Sequence, residues 1–195
     1  ADAGDEIFGG YDRYDWMLKY YKRMNAIPAI ARKSGAALLN MLPMRKFPGL
    51  HNNHVFQKKY EKLASILQDP TPGNLFLGMT VDYTASERSR LFLQKTESIF
   101  SAHYSQDLQD VYFDPLTYAM AKDYQTYLVD DILQKVDLAT MSVSLEGREP
   151  FLDKHVIEWA GRLPPAYPLF NGQRKYILKE IVHKYVPDKL MDRPK

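Results

Sequence analysis

The sequence contains no cysteine, so it forms no disulfide and offers no thiolate as nucleophile or metal ligand. That absence fits a reducing, cytoplasmic setting. No apolar run approaches the roughly 20 residues that cross a bilayer, and no charged-then-apolar leader opens the chain. Net charge is only +2, which leaves no strong electrostatic footprint for nucleic acid or a membrane surface. Alternating strand patterns, internal repeats and low-complexity tracts are missing too. The 14 tyrosines fall mainly at helical apolar positions with no basic stripe beside them, which favours core packing over nucleobase stacking. What remains is 195 residues at 45% apolar content, enough for one domain with a sizeable core. The first residue is not Met, and MDRPK at the end reads as a charged loop. The expectation is therefore a piece of a longer protein.

Helical spacing dominates, so the fold class expected is mainly α. Trp16, Met17, Tyr20, Tyr21, Met24 and Ile27 recur at three- and four-residue steps, and Pro28 stands where a second helix can begin. Pro43 and Pro48 bracket a loop, after which Val55, Phe56, Tyr60, Leu63, Ile66 and Leu67 resume the period. Residues 69–74, DPTPGN, read as loop from their Pro, Gly and Asp content. Thr84 and Glu87 form a capping box ahead of a helix expected to reach about Ala102. A long helical tract runs over roughly 116–142, reset near Asp130 and Asp131. Asp153 is an N-cap for the next helix. The stretch RKYILKEIVHKYV gives a last helix stopped by Pro187.

Two stretches are chemically dense. The opening ADAGDEIFGGY crowds Asp2, Asp5 and Glu6 onto slim backbone, and Gly9–Gly10 permits positive φ. It is either an acidic turn leading into a helix or a place where backbone approaches a metal and a phosphate. The second stretch, YLVDDILQKVDLATMSVSLEGREPFLD, sets Glu146, Arg148 and Glu149 among Leu145, Phe151 and Leu152. A run of this kind is usually a solvated helix face with a couple of ion pairs; the apolar flanks here point instead to partial burial, where a Glu and an Arg should pair. His51 and His54 are spaced i, i+3, a spacing able to bind a metal, but two lone histidines in a polar stretch are usually solvated.

DDILQKVDLATMSVSLEGREPFLD resembles the C-terminal synthetase domain of glutamine-hydrolysing asparagine synthetases, which reads D-D-x-L-x-K-x-D-x-x-(S/T)-M-x-x-x-x-E-x-R-x-P-F-L-D. GDEIFGGYDRY is similar to that family's S-G-D-G-G-D-E-L-F-G-G-Y loop. GQRKYILKEIVHKYVPDKLMDRPK resembles its tail, in which G-x-x-K-x-I-L precedes a Pro and then R-P-K. The resemblance implies the helical, C-terminal portion of an α/β ATP-pyrophosphatase synthetase domain, residues 1–195. Neither the S-G-G-x-D-S pyrophosphate loop nor the glutaminase domain occurs in the sequence, so this chain alone is expected to be inactive.

The implied reaction uses ATP and Mg²⁺ to adenylate the aspartate side-chain carboxylate, and glutamine-derived ammonia then displaces AMP. By the resemblance, Asp5 holds Mg²⁺ on the pyrophosphate side and Asp2 is a general base for ammonia. Lactam-forming relatives use a Tyr as base, so Asp2 favours ammonia. Ala1 and Ala3 replace the usual glycines, which stiffens the loop. Lys175 would stabilise charge on the α-phosphate; without the motif it would read as a solvated surface lysine. Glu6 is either a supporting acid for the cofactor or an ordinary first-turn charge. Glu146 and Arg148 would orient the Asp2–Asp5 loop, while Arg174 and Arg193 are further cations near the site, with surface charge the preferred reading. Two alternatives stay open: another carboxylate acceptor, and a non-catalytic helical interaction domain. Oligomeric state is not legible, although a homodimer of the full-length protein is compatible with the family.

Overall fold

The computed structural model describes residues 2–42, 54–83, 91–92, 102–105, 107–108 and 114–191. Helix dominates, as the apolar spacing predicts. In chain order these are α1 (Gly4–Phe8), α2 (Asp12–Ala26), α3 (Ala29–Met41), α4 (His54–Gln68) and α5 (Pro72–Thr80), followed by α6 (Pro115–Gln125). A π-helical turn, Leu128–Leu133, then leads into α7 (Gln134–Met141). A 3-10 turn (Pro150–Leu152), α8 (Lys154–Ala160), strands β1 (Leu169–Phe170) and β2 (Gln173–Arg174), α9 (Tyr176–Val182) and α10 (Asp188–Met191) complete the order. No helix among the described residues is long and apolar enough to cross a membrane.

The chain divides into two units, residues 1–15 with 116–195, and residues 16–115. In the first, α1 lies at the core: Ala3, Ile7 and Phe8 are buried with Leu128 of the π turn. Phe151 meets Phe8 edge to face, with ring centroids 5.4 Å apart, and Ile157 of α8 and Ile177 of α9 close around them. Fully burying Phe8 alone contributes about 2–3 kcal/mol. The sequence predicts a reset near Asp130 and Asp131, and the π turn is that reset. Asp153 caps α8 as expected, its side chain accepting from the His155 N–H at 2.9 Å.

β1 and β2 form a two-residue hairpin, with Phe170 paired to Gln173 across Asn171–Gly172. Both turn residues have positive φ, 50° and 79°, the type I′ geometry for which Asn-Gly is the strongest short signal. The expectation of no strand series passed over that signal, because two residues per strand are too few to show alternation.

In the second unit α3 and α4 pack together and each buries an alanine, Ala36 and Ala64. The Tyr60 hydroxyl donates to the Leu39 carbonyl at 2.8 Å and to Leu42 at 3.1 Å, tying down the end of α3. Residues 69–74 are not all loop. Thr71 caps α5, accepting from the Asn74 N–H, and Pro72 stands at its first turn, where a missing N–H costs nothing. The Thr84–Glu87 box and the Pro43–Pro48 loop lie outside the described residues, as do His51, the His54 side chain and Arg193.

Candidate active site

The site grows from the backbone of the first ten residues. Ala3 adopts the left-handed conformation, φ 65°, and leads directly into α1. After five residues Gly9, φ 69°, ends the helix, and the Gly9 and Gly10 N–H groups both donate to the Asp5 carbonyl. This places Asp5 at the edge of a tight, doubly bonded turn with its carboxylate only partly open to solvent. The Asp5 carboxylate meets the Lys175 ammonium at 3.0 Å, and both side chains are 34% exposed. A Cβ on Gly10 would sit 1.8 Å from Asp5 Oδ1 and 2.3 Å from Lys175 Cε. Only a glycine leaves room for the pair.

Lys175 lies between β2 and α9 and is itself left-handed, φ 52°. A non-glycine residue with such a backbone is strained, and strain of this kind concentrates at functional sites. Arg174 precedes it and reaches the first turn of α2, pairing with Asp12 and lying 3.8 Å from Asp15. The expectation of Arg174 as plain surface charge misses this double partnership.

Behind the exposed pair lies a buried polar network. Glu6 is 2% exposed and accepts from the Tyr11 hydroxyl. It is thus no solvated first-turn charge. Burial, the hydrogen bond to Glu6 and the nearby acids push the Tyr11 phenol upward, keeping it a neutral donor. The Arg13 guanidinium lies 4.2 Å from the centre of the Tyr11 ring and 5.0 Å from that of Tyr127. It also grips buried Asp123 of α6 with two contacts, 2.9 and 3.0 Å. Burial nonetheless pushes Asp123 up to about 6, against the opposing pull of Arg13. Burial, followed by the Asp123 charge, likewise raises the Tyr14 phenol.

Glu146 and Arg148 do not sit where the sequence suggests. They pair with each other at 3.1 Å, yet are 71% and 83% exposed, so the expected burial is wrong. Their apolar neighbours Val143 and Leu145 are exposed as well, and apolar flanks alone do not make a segment interior. The residue that touches the opening loop is Glu149, whose Oε2 accepts from the Asp2 N–H at 2.9 Å. The acid two positions before Phe151 is visible in the sequence, but only the fold shows which of Glu146 and Glu149 faces the loop. No group of three or more potential metal ligands occurs among the described residues.

The model of the asparagine synthase family matches residues 1–195, and the chain belongs to that family. It is similar to asparagine synthetase [glutamine-hydrolyzing] 1 of Bacillus subtilis, with 27% identity over 206 aligned positions. It is also 28% identical, over 198 positions, to putative asparagine synthetases [glutamine-hydrolyzing] of Mycobacterium bovis and Mycobacterium tuberculosis. All of this chain is covered, but it spans only 28–29% of the length of these relatives. No solved structure gives a significant match.

Proposed function

We propose that the chain forms the C-terminal part of the synthetase domain of an ATP-dependent, glutamine-hydrolysing asparagine synthetase. In that reaction an aspartate side-chain oxygen attacks the α-phosphorus of ATP and pyrophosphate leaves. Ammonia then attacks the activated carbonyl carbon, AMP departs, and a base takes the surplus proton. The observation that supports this reading best is the Asp5–Lys175 pair, held at 3.0 Å on strained, glycine-lined backbone and still partly open to solvent. A structural ion pair needs neither the strain nor the opening.

The donor set fits a magnesium phosphate site. Mg²⁺ is commonly held by one or two carboxylates, with phosphate oxygens and waters completing its shell, and Asp5 offers one partly open carboxylate. When bound, Mg²⁺ supplies positive charge at the departing pyrophosphate. Lys175 offers a fixed ammonium for charge gathering on the α-phosphate. Asp2, tethered through its N–H to Glu149, is the candidate base for ammonia. Glu6 and Tyr11 anchor α1 from the buried side, so that Asp5 has one direction to face. Aspartate as acceptor, glutamine as ammonia source, a homodimeric enzyme and a cytoplasmic location belong to the same proposal.

The test uses the full-length enzyme. Asp5→Asn should lower aspartate-dependent pyrophosphate release by at least about 10²-fold and leave glutamine hydrolysis near the wild-type rate. Equal losses in both half-reactions would assign Asp5 to folding instead. Pyrophosphate release driven by another carboxylate but not by aspartate would change the acceptor.

A further inference from the structure

Lysine is a poor residue for fixing a charge by itself, because its ammonium ends a flexible four-carbon stem. Lys175 must also be kept in a left-handed backbone conformation that a lysine does not favour. Immediately before it, Arg174 at the end of β2 directs its guanidinium to the first turn of α2. Nη1 pairs with Asp12, and Nε lies 3.8 Å from Asp15. The two acids are three residues apart, one helical turn, so a planar fork can address both. Arg174 and Lys175 are consecutive, and their acid partners all fall within residues 5–15. The β2–α9 corner is therefore fastened to one continuous stretch, α1 through Gly9–Gly10 into α2, at two points. One fastening, Lys175–Asp5, is the proposed reaction site. The other has no assigned part in it.

We propose that Arg174 is a positioning residue. Its clasp on Asp12 and Asp15 holds the backbone of Lys175 left-handed and so aims the ammonium beside Asp5. Partly exposed ion pairs add little to stability, so the clasp acts on placement more than on folding. This rests on the proposed function of Lys175.

The experiment measures aspartate-dependent pyrophosphate release by the full-length enzyme, with glutaminase activity and thermal melts alongside. Arg174→Ala should lower kcat about 10- to 100-fold, the scale of a misplaced catalytic group, with KM for ATP changing less than about twofold and the melting temperature unmoved. The double variant Asp12→Asn/Asp15→Asn should lose a similar factor, and adding Arg174→Ala to it should cost almost nothing more, since coupled residues are not additive. Arg174→Lys should recover part of the rate, because a point charge can reach one acid. A wild-type kcat for Arg174→Ala, or simple additivity with the double variant, overturns the clasp. Lys175→Ala separates the two levels. If it is slow while Arg174→Ala is normal, the clasp alone is wrong; if it turns over normally, the proposed function of Lys175 falls and the clasp with it.

Discussion

Lys175 faces two demands that pull apart: its ammonium belongs beside Asp5, while its φ of 52° suits a glycine. Lys175→Gly should therefore be more stable than Lys175→Ala, by about 0.5–1 kcal/mol, although both lose the cation. In the full-length enzyme, and on the proposed role of Lys175, both should turn over about 10²–10³-fold more slowly. Equal melts for the two would mean that the backbone there is not strained. The adjacent glycines make a matching contrast. A Cβ on Gly9, φ 69°, meets the ring Cβ of Pro168 at 2.9 Å and the Pro168 carbonyl oxygen at 3.2 Å, a rigid ring and backbone that cannot easily yield. The atoms nearest a Cβ on Gly10 belong to the Asp5 and Lys175 side chains, which can swing away. Gly9→Ala should cost about 1–3 kcal/mol of stability. In the full-length enzyme, on the proposed function, Gly10→Ala should melt nearly normally but release pyrophosphate slowly, and the reverse pattern would show that the pair is not what glycine protects.

At the scale of elements, the sequence was most informative where a local rule acts alone. Asp153 needed only its own side chain and the His155 N–H to cap α8, and Pro28 directly precedes α3. The apolar steps from Trp16 to Met24 fall within α2. Composition misled where a punctuating residue has two uses. Pro72 and Gly73 read as loop but stand in the first turn of α5 behind the Thr71 cap. The Asn171–Gly172 turn was legible in principle, yet its strands are shorter than any pattern. Burial was the least legible property of the site. Glu6 is interior and Glu146 is not, although both are acids among apolar neighbours; what separates them is the tertiary position of α1 against Leu128, Phe151 and Ile177. The Asp5–Lys175 contact joins residues 170 positions apart, and only the family motifs, not spacing, linked them beforehand.

For the molecule as a whole, Asp123 gives stability a dependence on pH. In the folded chain its carboxyl keeps its proton up to about 6, against 3.8 for the free group. Between those values the folded state binds more protons than the unfolded one, so this residue's contribution to stability falls as pH rises from about 4 to 6. The full effect is about 3 kcal/mol. Urea unfolding at pH 4.5 and 7 should show the loss, and Asp123→Asn should remove that part of the slope whatever it does to the baseline. A slope unchanged by the substitution would assign the pH dependence elsewhere. Chain length is a second global property. Relatives align over 198 and 206 positions against 195 here, so members of the family differ by insertions and deletions. The turn at Leu128–Leu133 bears on how such a change is absorbed, because a π turn is an α-helix carrying about one surplus residue. Removing half-exposed Val129 should let the turn close to ordinary α geometry, with the faces of α6 and α7 still in phase and the melting temperature little changed. Removing buried Ala119, inside α6, has no slack to draw on: everything beyond it would rotate by about 100°, carrying Leu128 out of the core.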